Sequence, residues 1–337
     1  MGNALKYFES QSLHLDSLKF DMPDKFVPVN KFQFMSPFED DSTNGLYFND
    51  IYLPEEIIAN ILSHVPPKDV LKLTRVCKKW CNIVKSENFW MHVYNRHHSK
   101  AKKLPWYVYY CYFTTNNFEN LLKNGNGQEQ YKHWKIIKNF GDKFTIEDPP
   151  TGADPLPLGV PDFNGHTSCF ATSFQDCNKI QIISLKNKRL LRYILNKFNP
   201  HIYASEWVTG RFDCGCTYSL VLKGYKESFN EEELDDFSDE EDESNTNALF
   251  YLATGTNVEQ WQGRQWEKVE VLVKEYPPDV AVLIFEHEGS DTQFWKGHYG
   301  SKMAGGVVKI VFDSIHPSED ELGTNLSQSD ENSKMDM

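Results

Sequence analysis

The chain has 337 residues and a formal net charge of −13, long enough for two domains or more. Hydrophobic residues make up 40% of it and aromatic residues 14%, enough for a sizeable packed core, and no apolar run nears the roughly 20 residues that span a bilayer. The charge sits in one block: Glu227 to Glu243 holds eleven acidic residues and no Lys or Arg, so removing those eleven charges from −13 leaves −2, and the basic domain of a nucleic-acid binder is missing.

Residues 1–49 carry scattered phenylalanines without a sustained period and read as disordered. Met1-Gly2 invites N-myristoylation, yet Lys6 stands where that pattern wants Ser or Thr. No charged-then-apolar signal peptide opens the sequence. The seven cysteines are odd in number and scattered, which suits buried thiols in a reducing compartment. Cys214-Gly215-Cys216 has no second pair to complete a metal site, so neither metal nor cofactor is expected.

Residues 50–93 read as a small all-α unit. Leu53-Pro54 opens a helix with proline at its first position, where the missing N–H costs nothing. Glu55 and Glu56 follow in the first turn, where negative charge suits the helix dipole. Ile57, Ile58, Ile61, Leu62 and Val65 recur at helical spacing and predict one broad apolar face. Pro66-Pro67 stops this helix. A second is expected near Asp69, with Val70, Leu73, Val76 and Cys77 inward, and a third with Trp80, Ile83 and Val84 on one side. Phe89-Trp90 closes the unit. So short a bundle has little core of its own and is expected to bury apolar surface on a partner. A generic bundle fragment would show the same periodicity. The LPEEI start, the PPKDVL turn, the VCKKW core and the terminal FW, in order and without gaps, resemble an F-box. That resemblance implies docking on the Skp-family adaptor of a cullin–RING ubiquitin ligase, through Leu53, Pro54, Ile57, Ile61, Val76 and Trp80.

Residues 94–130 read as a connector, stiffened by the aromatic run Trp106 to Phe113, with a short helical period in Asn117 to Asn124. From 131 to 315 short strands alternate with turn signals, the pattern of a sandwich or barrel. The expected strands are Lys132–Lys138, Ser168–Phe174, Lys179–Leu185, Ile202–Val208, Tyr218–Leu222, Leu249–Ala253, Lys268–Val273, Val280–Glu286 and Val307–Ile315. Lys179–Leu185 alternates polar and apolar residues over its first four positions, which predicts one wet face; Val280–Phe285 is apolar throughout, which predicts a central strand. No strand–helix alternation calls for a parallel sheet. The acidic residues 226–247 form a disordered insert on this reading, since charge repulsion without apolar residues gives no core. Ser238 before Asp239-Glu240-Glu241 suits an acidophilic kinase. Residues 316–337 read as a disordered tail, whose Asn325-Leu326-Ser327 fits the glycosylation pattern without a secretory route to use it.

Four stretches of the second domain resemble the domain that follows the F-box in sugar-recognising F-box proteins: Asn120 to Trp134, Cys169 to Leu185, Glu206 to Gly215 and Phe285 to Gly300. With the F-box, the resemblance spans Tyr52 to Ile315. It implies a multidomain α+β chain: an all-α F-box, a helical linker, and an antiparallel, jelly-roll-like (galactose-binding-like) β-sandwich. It also implies a non-catalytic substrate receptor that binds high-mannose N-glycans through their inner chitobiose and sends misfolded glycoproteins to ER-associated degradation. The location implied is the cytoplasm, the cytosolic face of the ER included. By the match, Trp295 stacks on a sugar ring, Phe174 and Phe294 wall the pocket, Lys296 donates to sugar oxygens and Asp213 accepts.

The residue types suit that chemistry, because a pyranose offers one apolar C–H face and a rim of hydroxyls. Phe174 could equally be a core residue and Asp213 could simply fix its own turn. Phe294 stands where the family often has Tyr, which removes a hydroxyl, and His298 where a second Trp is common. A receptor for a bare protein surface is the alternative reading. A glycosidase would need two carboxyls flanking a bond, and only Asp213 has a clear place in a loop.

Overall fold

The computed structural model describes residues 45–98, 100–231 and 247–316. These belong to one of two units, Thr43–Met337; the other, Met1–Ser42, lies outside the described residues. So do the myristoylation pattern, Ser238, most of the acidic insert, and the tail with Asn325.

A short hairpin that the sequence does not suggest precedes the helical unit. Residues Tyr47–Phe48 (β1) and Ile51–Tyr52 (β2) pair as a minimal antiparallel hairpin. Asn49 and Asp50 both take positive φ, +48° and +62°, as a two-residue hairpin turn of the primed type requires. Helix α1 covers Glu55–Leu62 with Pro54 as its N-cap, one position before the expected place. The broad apolar face divides: Ile58 and Leu62 are buried, while Ile57 and Ile61 are exposed. Pro66-Pro67 starts α2 (Pro67–Val70), which tightens at once into a 3-10 turn, Leu71–Arg75. Helix α3 spans Lys78–Val84 and α4 spans Glu87–Asn95, the latter capped by Ser86 Oγ accepting from Phe89 N at 3.3 Å. Phe89-Trp90 therefore sits inside a fourth helix. The Trp90 indole donates to Val84 O at 2.7 Å and is fully buried.

The connector is packed against both neighbours. Its helix α5 is Trp106–Thr114. Tyr94 of α4, Tyr109 and Tyr112 of α5, and Phe118 all meet the ring of Phe312, with centroids 4.4 to 5.7 Å apart. Edge and tilted arrays of this kind add about 0.5–1.5 kcal/mol per pair beyond burial. The helix expected over Asn117 to Asn124 reduces to a 3-10 turn at Asn116–Phe118. Beyond it the chain runs along the sandwich, where Gln181 clamps Lys123 by accepting from its N–H (2.7 Å) and donating to its carbonyl (2.8 Å).

Ten strands build two five-stranded antiparallel sheets. They are β3 (Lys135–Asn139), β4 (Thr145–Glu147), β5 (Cys169–Ala171), β6 (Cys177–Ser184), β7 (Ile202–Thr209), β8 (Cys216–Tyr225), β9 (Phe250–Val258), β10 (Glu267–Val273), β11 (Val282–Asp291) and β12 (Lys302–Ile310). One sheet runs β10-β7-β12-β5-β4 and the other β3-β6-β11-β8-β9, so apolar β11 is central as expected. Strand β12 starts earlier than its apolar run suggests because Ala304/Val307 bracket a bulge. There Gly305 has φ +67° and would clash with Phe163 if it carried a Cβ. A helix, α6 (Arg189–Phe198), joins β6 to β7. Its buried Leu191, Ile194, Leu195 and Phe198 are spaced i, i+3, i+4, i+7, a signal that strand-first reading passed over. At the start of the acidic insert, Phe229 packs on Tyr225 (4.4 Å) and Glu227 pairs with Arg192 (2.8 Å).

The wet face expected on β6 is absent: Lys179 is fully buried and Gln181 is 4% exposed. The alternation is real but inverted. Lys179 points between the sheets, above the rings of Phe170, Phe144 and Trp134 at 3.6, 4.4 and 4.5 Å from their centroids. Its Nζ donates to His287 Nε2. His287 Nδ1 donates to Glu206 Oε2 at 2.5 Å, and Tyr218 OH donates to the same oxygen at 2.7 Å. The His287 ring lies flat on Trp134, 4.7 Å between centroids and 2° between planes. Residues from β6, β7, β8 and β11 thus tie the two sheets by a buried polar chain. Burial holds the His287 imidazole down at about 4 and the Lys179 amine well below its ordinary value, and raises the Tyr218 phenol well above its own.

Candidate functional site

Strand register brings five loops to one end of the sandwich: β3–β4, β5–β6, β7–β8, β9–β10 and β11–β12. Gly289 pairs with Cys177, Asp291 with Cys216, Cys216 with Val258, and Lys302 with both Thr209 and Ala171. The β11–β12 loop carries Phe294, Trp295 and Lys296. Its shape starts from Asp291, whose Oδ1 accepts from Gln293 N (2.9 Å) and Phe294 N (2.5 Å). That turn puts Phe294 in the left-handed region, φ +56°, and leaves its ring 74% exposed. Burial raises the Asp291 carboxyl above its ordinary range. Ser173 fastens the loop to the next: its carbonyl accepts from Asp291 N (3.0 Å), and its hydroxyl donates to Gly297 O (3.1 Å) and accepts from Asp142 N (2.7 Å). His298 adds a contact of Nε2 to Asp142 O at 3.2 Å, so the histidine has a supporting role of its own.

Trp295 is 38% exposed and stands edge-on to Tyr299, 5.6 Å between centroids and 89° between planes. The guanidinium of Arg211 lies 4.4 Å from the Tyr299 ring centroid, a cation–π distance. Arg211 Nε in turn donates to Asp213 Oδ1 at 2.7 Å. Asp213 is therefore held by a cation two residues earlier in its own loop, and that cation in turn reaches the Tyr299 ring. Lys296 is exposed beside Trp295. Phe174, half-buried, packs over Gly141, where a Cβ would come within 3.1 Å of its ring. The five residues singled out from the sequence thus sit on three loops of one end, joined by Ser173 and by the path Asp213–Arg211–Tyr299–Trp295. Arg211 and Tyr299 were not singled out, though both lie inside the quoted stretches. Their partnership crosses loops 88 residues apart in sequence, which local reading does not reveal. Cys214 and Cys216 are buried nearby, their thiols pushed up to about 11 and about 12 by that burial.

The F-box presents a different surface. Tyr47, Phe48, Ile51, Tyr52, Ile57, Ile61 and Val76 are between 46% and 67% exposed. So many bare apolar side chains on a small unit mark an interaction face. Pro54 is exposed and Leu53 half-buried. Trp80 is also half-buried, and its indole donates to Gly45 O at 2.7 Å, so it holds the hairpin in place. A cleft of about 540 Å³ lies elsewhere, between F-box and connector, lined by Lys85, Glu87, Lys103 and Trp106 among others. It contains none of the residues singled out above. Among the described residues no helix is long and apolar enough to cross a membrane.

Two parts of the chain match known families. Residues 52–92 match the F-box domain and residues 112–310 match the F-box associated region. F-box only protein 6 of Bos taurus is 32% identical over 264 residues, covering 77% of this chain and 91% of the relative. F-box only protein 27 of Mus musculus is 30% identical, covering 77% and 89%. Among solved structures the likeness is loose: a family 16 carbohydrate-binding module aligns with a TM-score of 0.31 at 14% identity, over 57% of this chain and 99% of the module, too weak to carry an argument. The chain belongs to the family in which an F-box is followed by an F-box associated region.

Proposed function

We propose that this chain is a substrate receptor of an SCF-type ubiquitin ligase that binds high-mannose N-glycans by their inner chitobiose. The F-box docks on the Skp-family adaptor, and through it on cullin and RING protein. The loop end holds the disaccharide: Trp295 stacks on one ring, Phe174 and Phe294 wall it, Lys296 donates and Asp213 accepts. The observation that carries this reading is Trp295, exposed yet fixed by a loop pinned through Asp291 and Ser173. A ring presented in advance loses little freedom on binding.

The carboxylates at the loop end do not suit hydrolysis. Asp213 is paired with Arg211 at 2.7 Å, and Asp291 caps its own turn. The chain recruits and does not cleave. Inner N-acetylglucosamines lie against the protein that bears them, so unfolding of the carrier exposes them. The receptor thereby selects misfolded glycoproteins, at the cytosolic face of the ER, for degradation.

A glycan array probed with the full chain bound to its adaptor tests the proposal, with Trp295→Ala alongside. Chitobiose-containing glycans should bind wild type only. Wild-type binding to no glycan would favour a receptor for a bare protein surface.

A further inference from the structure

Of the eight tryptophans, only Trp261 and Trp295 are exposed, and Trp261 is the more so at 69%. The chitobiose pocket does not use it. It sits in the β9–β10 loop, at the same end of the sandwich, in the left-handed region with φ +71°. The loop is not a loose tip. Gln262 N donates to Glu259 O at 3.0 Å across the turn. On one side of Trp261, Gln260 Nε2 donates to Asp213 O at 3.1 Å. On the other, Gly263 lies so close to the β7–β8 loop that a Cβ there would fall 2.5 Å from Arg211 O. Arg264 then bonds Thr209 Oγ1 through its N–H (3.3 Å) and Asp154 Oδ1 through its Nε (2.5 Å). An indole is therefore held out to solvent between two anchor points, both on the loop that carries Asp213. Phe212 of that loop is itself 45% exposed.

Asp213 thus stands between two exposed indoles. Trp295 is reached through Arg211 and Tyr299; Trp261 is reached through Gln260. We infer that Trp261 forms a second platform that takes a further pyranose ring of the same glycan, a mannose beyond the chitobiose. This rests on the function proposed above. The neighbours of Trp261 favour a sugar over an apolar peptide. Gln260 and Gln262 flank it in the chain, and Arg264 of the same loop pairs with Asp154, so the exposed indole is set in a loop rich in donors and acceptors, the combination a ring with one C–H face and a hydroxyl rim requires. An apolar peptide segment would ask for a contiguous apolar patch.

Calorimetry on the full chain with its adaptor decides the matter, using free chitobiose, a released high-mannose glycan, and a denatured high-mannose glycoprotein. Wild type should bind the long glycan about tenfold more tightly than chitobiose, the effect of one added aromatic stack. Trp261→Ala should abolish that advantage and leave chitobiose affinity unchanged, and Trp261→Phe should restore most of it. An unchanged ratio in Trp261→Ala, or no wild-type preference for the long glycan, would overturn the inference. So would a loss confined to the glycoprotein, which would make Trp261 a peptide contact, or an equal loss for chitobiose, which would make it part of the first pocket. Failure of wild type to bind chitobiose at all would instead defeat the underlying function.

Discussion

The F-box face and the loop end of the sandwich are both apolar and exposed, yet they are built in opposite ways. The F-box face consists of aliphatic and aromatic side chains on short elements, with little polar support between them: Ile57 and Ile61 simply face away from buried Ile58 and Leu62. The loop end holds each aromatic by hydrogen bonds and ion pairs, from Asp291 and Ser173 to Arg211 and Gln260. An aliphatic face gains by covering area and suits a protein partner that buries it. An orientated aromatic between polar groups suits a small ligand with a defined face. The difference in construction tells the class of partner before any partner is named.

The largest expected effect lies on the F-box. Ile57→Asp with Ile61→Asp should abolish co-purification of the adaptor while leaving the melting temperature of the chain unchanged, because both residues are exposed. Ile58→Ala or Leu62→Ala, one position along the same helix, should instead lower stability by about 2–5 kcal/mol. If the outward pair proved as destabilising as the inward pair, the split face would be wrong.

Next comes the polar chain beneath the loop end, which joins β7 and β11, the strands that lead into two of its loops. Glu206→Ala would strand the Nδ1–H of His287 and the hydroxyl of Tyr218 in the core, costing about 3–5 kcal/mol, measurable by denaturant melts. The same chain sets a pH dependence. His287 binds its proton at about 4 when folded against 6.5 when unfolded, so the unfolded state takes up the proton first. Stability should therefore hold above pH 6.5 and fall between 6.5 and 4, by a few kcal/mol in all. His287→Gln should flatten that slope.

At the loops themselves the effects are smaller and appear in binding. Trp295→Ala should weaken chitobiose by more than roughly 2 kcal/mol, the scale of a buried aromatic hot spot, with little change in melting temperature. Lys296→Ala should cost about 1.5 kcal/mol if its ammonium bonds the sugar, and almost nothing if it faces only solvent.

The sequence revealed the two regions unequally. The F-box was legible because its signals are local: a proline-started helix, Pro66-Pro67, and an ungapped motif. Its hairpin was not, since two-residue strands around Asn49-Asp50 leave no period to read. In the sandwich, alternation in β6 was visible, but alternation says only that two faces differ. Which face is inside depended on Glu206 and His287, whose strands arrive later in the chain, and so buried Lys179 was read as wet. Trp295 and Asp213 could be singled out by residue type in glycine-flanked loops. Arg211, which joins them, could not, because a cation that bridges loops looks like any surface arginine until the loops meet.

The most direct test asks whether one molecule uses both faces at once. Chitobiose beads are incubated with purified adaptor and either wild type, Trp295→Ala, or the Ile57→Asp/Ile61→Asp chain, and the bound fraction is analysed. Wild type should carry adaptor onto the beads, Trp295→Ala should leave both proteins in solution, and the isoleucine variant should bind alone. Adaptor retained equally with Trp295→Ala, or wild type that binds adaptor and yet leaves the beads bare, would contradict the account.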